Sequence, residues 1–316
     1  MILVAGIPAE RPTALIIEAL DSIGANYRCF DQLRADAIVM RLEIAEAEAG
    51  GAVGGTVGID GEAIALAAVT GVFLRLMDDN LLPEVAALAP TDERRARCRR
   101  LHEAFFRFVD IAPGRLLNRP SDMASNQSKP YQAHAIRDAG FSIPETLITN
   151  HPATARGFIE GMWEAGGKVI YKSVSGVRSI VQTVEPEDLA RLDRIRWCPT
   201  QFQRHVAGTD MRVHVVGRSV FAVAITSEAT DYRYASRSGV DAALSPIELD
   251  AATREKCVAL SERLRLPLAG IDLRQTPEGT HVCFEVNPSP AYSFYQDRTG
   301  QPISTAIARY LAGESD

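Results

Sequence analysis

The sequence predicts an α/β domain followed by two mixed α+β lobes, and three observations predict it. The chain opens with a β-α-β pattern. Its character changes at Leu116-Leu117-Asn118-Arg119-Pro120. Its last third carries a long hairpin with polar residues gathered on one face. At 316 residues it exceeds one ordinary small domain. The expected boundaries are 1–118, 119–200 and 201–316.

The elements follow in order. Met1 to Gly6 is a short apolar run and reads as a buried first strand. Leu15, Ile16, Ala19, Leu20 and Ile23 recur at helical spacing, and Asn26 to Phe30 reads as a second strand. Such an opening implies a parallel sheet. The glycine-rich stretch Ala49–Gly55 lacks the lysine ending of a phosphate loop and the glycine order of a dinucleotide site, so a flexible turn is expected there. Two alternating runs around Asp60-Gly61 predict a hairpin. Val72 to Leu76 predicts a strand, and Asp92 to Val109 a long helix stopped by Pro113-Gly114. Beyond the crossing, Pro130 to Ala139 predicts a helix closed by Gly140. An extended segment from Ile143 to Thr149 follows, then a helix from His151-Pro152 to about Ala165, then a strand ending at Lys172.

Bulk properties narrow the function. Apolar residues make up 46% of the chain and charged residues 23%, ordinary values for a globular protein with a core. A net charge of -6 argues against nucleic acid as the main partner, because phosphate backbones attract a basic field. The five cysteines are scattered, without zinc-ligand spacing, and fit reduced thiols. No run approaches the roughly 20 apolar residues that span a bilayer, and the N-terminal apolar stretch is too short for a signal peptide. A cytoplasmic protein without a membrane partner is expected.

The most informative stretch is Gly270 to Pro288. Pro277-Glu278-Gly279-Thr280 is a turn signal between two alternating runs. With Glu278-Gly279 as a two-residue loop, Asp272 falls opposite Glu285. Residues two apart on a strand share a face, so Asn287 joins them, with Cys283 and Arg274. Val282, Phe284 and Val286 then lie with Ile271 and Leu273. Two carboxylates and an amide oxygen make a hard-oxygen site suited to Mg²⁺. The other reading is a solvent-facing polar sheet with Arg274 paired to an acid. Four cations could serve phosphates: Lys129 before a helix, Lys172 at a strand end before Ser173-Val174-Ser175-Gly176, Arg212 in the alternating strand Met211–Val216, and Arg233 in a tyrosine-rich loop. No Ser-His-Asp set is evident, and His205 and His214 read as structural.

The order of these pieces resembles the ATP-grasp superfamily, and within it the RimK-like branch, over residues 115 to 312. The likeness starts at Lys129-Pro130-Tyr131-Gln132 and Gly140-Phe141-Ser142-Ile143-Pro144, and continues through Val169-Ile170-Tyr171-Lys172. It then runs through Phe202-Gln203-Arg204-His205-Val206 and Asp210-Met211-Arg212 to the Asp272, Glu285, Asn287 triad. The resemblance implies two lobes clasping ATP, with Lys129 and Lys172 on phosphates. Gln203, Arg204, His205 and Val206 would lie at the adenine and Asp210 near the ribose. The triad would hold one or two Mg²⁺, with Mn²⁺ as an alternative, and Arg212 and Arg233 would face the transferring phosphoryl group. The C-terminal run Phe284-Glu285-Val286-Asn287-Pro288 with Tyr295-Gln296-Asp297-Arg298-Thr299-Gly300 is similar to the graspetide synthetases. That implies activation of a carboxylate as acyl phosphate and its transfer to an amine or hydroxyl, on a precursor peptide. A RimK-type amino-acid or glutamate ligase and a non-catalytic ATP-binding module are the alternatives, and a homodimer is left open. Three departures stand out: Arg204 where an acid is common, Ser238-Gly239 in place of Gly-Gly, and Ser289-Pro290 in place of a glycine after Asn-Pro.

Overall fold

The computed structural model describes residues 1–45, 52–173, 181–226 and 243–314. The first part contains β1 (Ile2–Gly6), α1 (Arg11–Ser22), β2 (Tyr27–Asp31), β3 (Ile38–Ala45), β4 (Ala52–Ile59), β5 (Glu62–Ala65), β6 (Gly71–Leu74), α2 (Pro83–Ala86), α3 (Glu93–Ile111) and β7 (Arg115–Leu117). Strands β2, β1, β6 and β7 lie side by side in that order, all parallel. Every residue of β1 is buried, as expected when helices cover both faces of a parallel sheet. Ile2 and Val4 face α1, while Leu3 and Ala5 face Phe105, Phe108 and Val109 of α3. The first strand, helix, second strand and long helix thus stand where the sequence puts them.

The Asp60-Gly61 hairpin forms as expected, with Ile59 opposite Glu62. Asp60 and Gly61 both take positive φ, 50° and 83°, the geometry of a tight twisted turn. The glycine-rich stretch differs from expectation. Its residues 49–51 lie outside the described residues, but Gly54 and Gly55 run within β4, not a turn. Gly55 has φ 136°, and a Cβ there would sit 1.9 Å from the Arg41 carbonyl oxygen. Gly55 thus allows close approach of β3 to β4.

The middle part contains α4 (Pro120–Met123), α5 (Lys129–Asp138), β8 (Thr146–Thr149), α6 (Pro152–Glu164), β9 (Val169–Ser173), β10 (Gln182–Thr183) and β11 (Thr200–Arg204). Ser128 caps α5 by accepting from the Tyr131 N–H, and Gly140 closes it at φ 83°. The central sheet has the order β10-β9-β11-β8. Ala155, Ile159, Val169 and Phe202 form its small core under α6.

The last part contains β12 (Thr209–Val216), β13 (Ser219–Thr226), β14 (Ala243–Ile247), α7 (Ala251–Arg263), β15 (Leu268–Gln275), β16 (His281–Asn287), α8 (Tyr292–Thr299) and α9 (Ile303–Ala312). Its antiparallel sheet runs β14-β13-β12-β15-β16. Ile271, Leu273, Cys283 and Val286 pack with α5 and α7 in the largest core. The division into three domains remains a proposal, with one added fact: α9 places Ile303, Ile307 and Leu311 in the same core as β1 and α1.

Candidate active site on the C-terminal sheet

The hairpin β15–β16 builds the site. Asp272 stands opposite Glu285 and Gly270 opposite Asn287, as the sequence register predicts. The turn is not the expected two-residue loop. Gln275 pairs with His281, and Thr276 N–H donates to Thr280 O, so three residues, Pro277-Glu278-Gly279, link the paired ends. The two registers differ by one, and a β-bulge between Asp272 and Leu273 absorbs the difference. Phe284 is the unpaired extra residue. The bulge also corrects the face assignment: Cys283 pairs with Leu273 and is fully buried in the core, not beside Asp272. Burial pushes its thiol pKa well up, so Cys283 is a packing residue. Phe284, assigned to the core face, instead lies under Arg274, whose guanidinium is 5.4 Å from the ring centroid. Bulges commonly re-aim side chains beside active sites.

Two cations meet the carboxylates. Lys129 Nζ, at the start of α5, donates to Glu285 Oε2 at 2.9 Å and to Asn126 Oδ1 at 3.3 Å. Arg212 stands directly opposite Asp272 on the neighbouring strand and donates to Asp272 Oδ1 at 2.5 Å. Its side chain is only 7% exposed, whereas those of Asp272, Glu285 and Lys129 are 25%, 24% and 21% exposed. The arginine is therefore built into the sheet while the carboxylates reach solvent. Gly270 makes room for it: a Cβ there would lie 2.2 Å from Arg212 Nη2. Asn287 Oδ1 accepts from the Ser289 N–H at 2.9 Å. Beneath Arg212, His214 is completely buried and its ring centroid lies 4.9 Å from that of Tyr295. Burial and the nearby guanidinium lower its pKa well below 6.5, so it is neutral and structural, as expected.

This donor set fits a hard cation. Among the described residues no cluster of three His, Cys, Asp or Glu side chains could hold a metal. Two opposed carboxylates and an amide oxygen are nonetheless hard donors of the kind Mg²⁺ prefers, with water and phosphate oxygens completing its shell.

The residues expected at the nucleotide lie on the central sheet and at the start of β12. Lys172 lies on β9 opposite Gln201, in the central sheet. Gln201 is buried with its Oε1 unpartnered among the described residues, and the buried Gln203 donates to Thr146 Oγ1 at 2.8 Å. Arg204 is exposed, and His205 N–H donates to Lys168 O. Burial, then Arg274 and Lys168, lower the His205 pKa. Asp210 pairs with Arg274 Nε at 2.7 Å, and Arg274 Nη1 donates to Val206 O at 2.6 Å. Arg274 is thus paired to an acid, but to Asp210, not to Asp272 or Glu285. It clamps the link between the two sheets. Arg233 and the segment after Ser173 lie outside the described residues.

Sequence reading missed the supports. Gln132 donates to Val286 O at 2.7 Å and accepts from Val286 N–H at 3.2 Å, fixing α5 to β16. It lies one turn after Lys129, so helical spacing put it on the lysine's face. Asn118 donates to Leu268 O and Pro288 O, both at 2.6 Å, and accepts from Leu268 N–H. Only a distant strand reveals that role.

A family model for the RimK-like ATP-grasp domain matches residues 126–311. The chain belongs to this family. The expected ATP-grasp fold and an ATP-grasp ligase therefore stand. A probable alpha-L-glutamate ligase of Aliivibrio salmonicida is 22% identical over 214 residues, 65% of this chain and 69% of that protein. A ribosomal-peptide-associated ATP-grasp ligase of Chryseobacterium gregarium, in complex with ADP and a leader and core peptide, superposes with a TM-score of 0.81. It is 23% identical and covers 100% of this chain and 97% of its own. The ATP-grasp ligase PsnB, complexed with minimal precursor, Mg and ADP, has a TM-score of 0.76 and 26% identity, over 100% and 97% of the chains. Among the described residues no helix is long and apolar enough to cross a membrane.

Proposed function

We propose that this RimK-like ATP-grasp protein is a peptide-modifying ligase, which activates a side-chain carboxylate with ATP and joins it to an amine or hydroxyl of the same peptide. One observation carries the reading. The likeness to ATP-grasp ligases complexed with precursor peptides extends over the whole chain, N-terminal sheet included. The family match alone covers only residues 126–311.

Asp272, Glu285 and Asn287 would hold Mg²⁺, which would supply positive charge to offset that of the phosphates. Lys129 exchanges Glu285 for phosphate oxygens, since a lysine head is a mobile point charge. Arg212, fixed by burial, presents its guanidinium to the transferring phosphoryl group without reorganising. Lys172 and the polar face of the central sheet receive the remaining phosphates. Gln203 to Val206 and Asp210 line the nucleoside, and Arg233 is assigned to the phosphoryl group with Arg212. The substrate carboxylate oxygen attacks the γ-phosphorus and ADP leaves; the amine or hydroxyl then displaces phosphate from the acyl carbon. Dispersed free cysteines support a reducing cytoplasm as the setting.

The glutamate ligase among the relatives supplies the second reading. ADP release measured against free amino acids and against acid-rich peptides with Ser, Thr or Lys decides. Peptide-dependent ADP, with a product lighter by one water, is expected. Turnover of free glutamate alone would replace this reading with the second, and bound Mg-ATP without turnover would leave a binding module.

A further inference from the structure

One arginine outside the described cluster reaches toward it from the N-terminal sheet. The chain runs from β1 to β2 on one side and returns as β6 on the other side of β1. The carboxyl ends of β1 and β6 therefore form a topological switch point, the place where parallel sheets hold ligands. Arg75 directly follows β6, its N–H bound to Ala5 O at 2.8 Å. Glu10 Oε1 accepts from its Nε at 3.2 Å and its Nη2 at 3.0 Å. The remaining Nη1 side points at Ser289 Oγ, 3.5 Å away, the limit of a hydrogen bond. Ser289 is the residue whose N–H holds Asn287 Oδ1. Arg75 thus ends two residues from the proposed metal face while sitting on a different sheet.

The surroundings are polar and largely buried. Thr13 is 1% exposed, and its Oγ1 has no partner among the described residues. Glu10 Oε2 is in the same position. Gly6, at the end of β1, brings Arg75 and Thr13 together; a Cβ there would lie 3.1 Å from both Arg75 O and Thr13 Oγ1. Buried polar atoms without partners are rare and call for a ligand or water. Docking of the two parts does not require Arg75, because other ties do that work. Arg11 pairs with Asp297 through two bonds of 2.7 and 3.1 Å, and the buried Tyr292 hydroxyl donates to Pro12 O.

We propose that Arg75, oriented by Glu10, is the specificity residue that anchors the carboxylate to be phosphorylated. This inference rests on the ligase reading above. A guanidinium has five N–H donors in a planar fork; Glu10 occupies the Nε–Nη2 side and the Nη1 side receives the substrate oxygen. The other carboxylate oxygen then faces the phosphoryl group beside Asn287, with Ser289 as a second donor.

The test uses the full-length protein, Mg-ATP, hydroxylamine and two peptide probes without Ser, Thr or Lys, one carrying only glutamate and the other only aspartate side-chain carboxylates. Probe oxygen bonds to the γ-phosphorus as the bond to ADP breaks. Hydroxylamine nitrogen then bonds to the acyl carbon, phosphate leaves, and nitrogen loses its proton, giving a hydroxamate that is measured. Losing a charged hydrogen-bond donor corresponds to about a ten- to hundredfold effect. Arg75→Ala is therefore expected to raise the carboxylate KM by that factor, with Mg-ADP affinity unchanged and Arg75→Lys recovering part of the loss. Ser289→Ala is expected to raise it about two- to fivefold. A carboxylate KM within twofold of wild type in a folded Arg75→Ala or Arg75→Gln protein overturns the proposal, as does an equal loss of Mg-ADP affinity. Failure of the wild-type protein to form hydroxamate from either probe removes the ligase reading itself, and this inference with it.

Discussion

The two sheets that flank the proposed nucleotide site are built differently. The carboxylate sheet is buried on both sides of β12: Val213 and Val215 face the core under α5 and α7, while Arg212 and His214 lie against Tyr295 of α8. The central sheet has one small core, formed by Ile159, Val169 and Phe202 under α6. Its other face carries Ile170, Lys172, Gln201 and Gln203. The two are joined through Val206 and Arg274. Packing on two sides fixes a side chain's position, and packing on one side leaves a sheet that can shift as a body. The lesson is a division of labour. Arg212, Asp272, Glu285 and Asn287 are held by packing on two sides, and the face carrying Lys172 is backed by packing on one side only.

The largest expected effect probes the rigid side. Glu285→Gln keeps shape and removes one charge from the proposed metal face, so turnover is expected to fall about 10²- to 10³-fold, on the scale of losing one preorganised electrostatic group. The melting temperature should move little. Near-normal ADP release in this variant would sink the metal assignment.

A pair of core truncations sharpens the contrast itself. Ile271→Ala in the carboxylate sheet is expected to cost about 2–5 kcal/mol in global unfolding. Ile159→Ala removes a comparable side chain but should act locally. Amides of β8, β9 and β11 should lose hydrogen-exchange protection while those of β12 and β15 keep theirs. Uniform loss across both sheets would contradict the division.

Gly270→Ala is the next test. The added methyl meets Arg212 Nη2 and Cζ at 2.2 and 2.7 Å, and overpacking typically costs about 1–3 kcal/mol. Displaced from Asp272, Arg212 should lose catalytic effect more than nucleotide affinity. A kcat unchanged alongside a lowered melting temperature would mean that Arg212 only holds the sheet.

The smallest effect is a pH dependence. His214 is buried neutral, its pKa depressed below 6.5. As pH falls below about 6.5, the unfolded chain binds a proton that the folded one refuses, so stability declines, by up to about 1.4 kcal/mol per pH unit. Denaturation between pH 7.5 and 5 should show this decline, and His214→Phe should flatten it. An unchanged slope in that variant would assign the acid sensitivity elsewhere.

Much of this was legible in the sequence, and the reasons are local. Alternation with an assumed Glu278-Gly279 loop placed Asp272 opposite Glu285, and helical spacing with Gly140 placed α5. The turn after Gln275 was not legible, because a bulge and a longer loop give the same pairing at Asp272 as a tight turn without a bulge. Cys283 and Phe284 were misassigned for that reason. Arg212 was visible as a strand arginine wanting an anion, but its anion was not, since β12 and β15 pair across 60 residues.

The sequence by itself determined most elements up to β9 and the acidic hairpin, because turn chemistry and side-chain periodicity act over a few neighbouring residues, and the order of its motifs carried the family resemblance. Only the tertiary structure decided which cation meets which carboxylate: Lys129 with Glu285 and Arg212 with Asp272. It also decided that Arg75 of the first sheet points at Ser289 of the last segment. Those contacts depend on strand order and on shared cores, and both are set by burial between residues far apart in the chain.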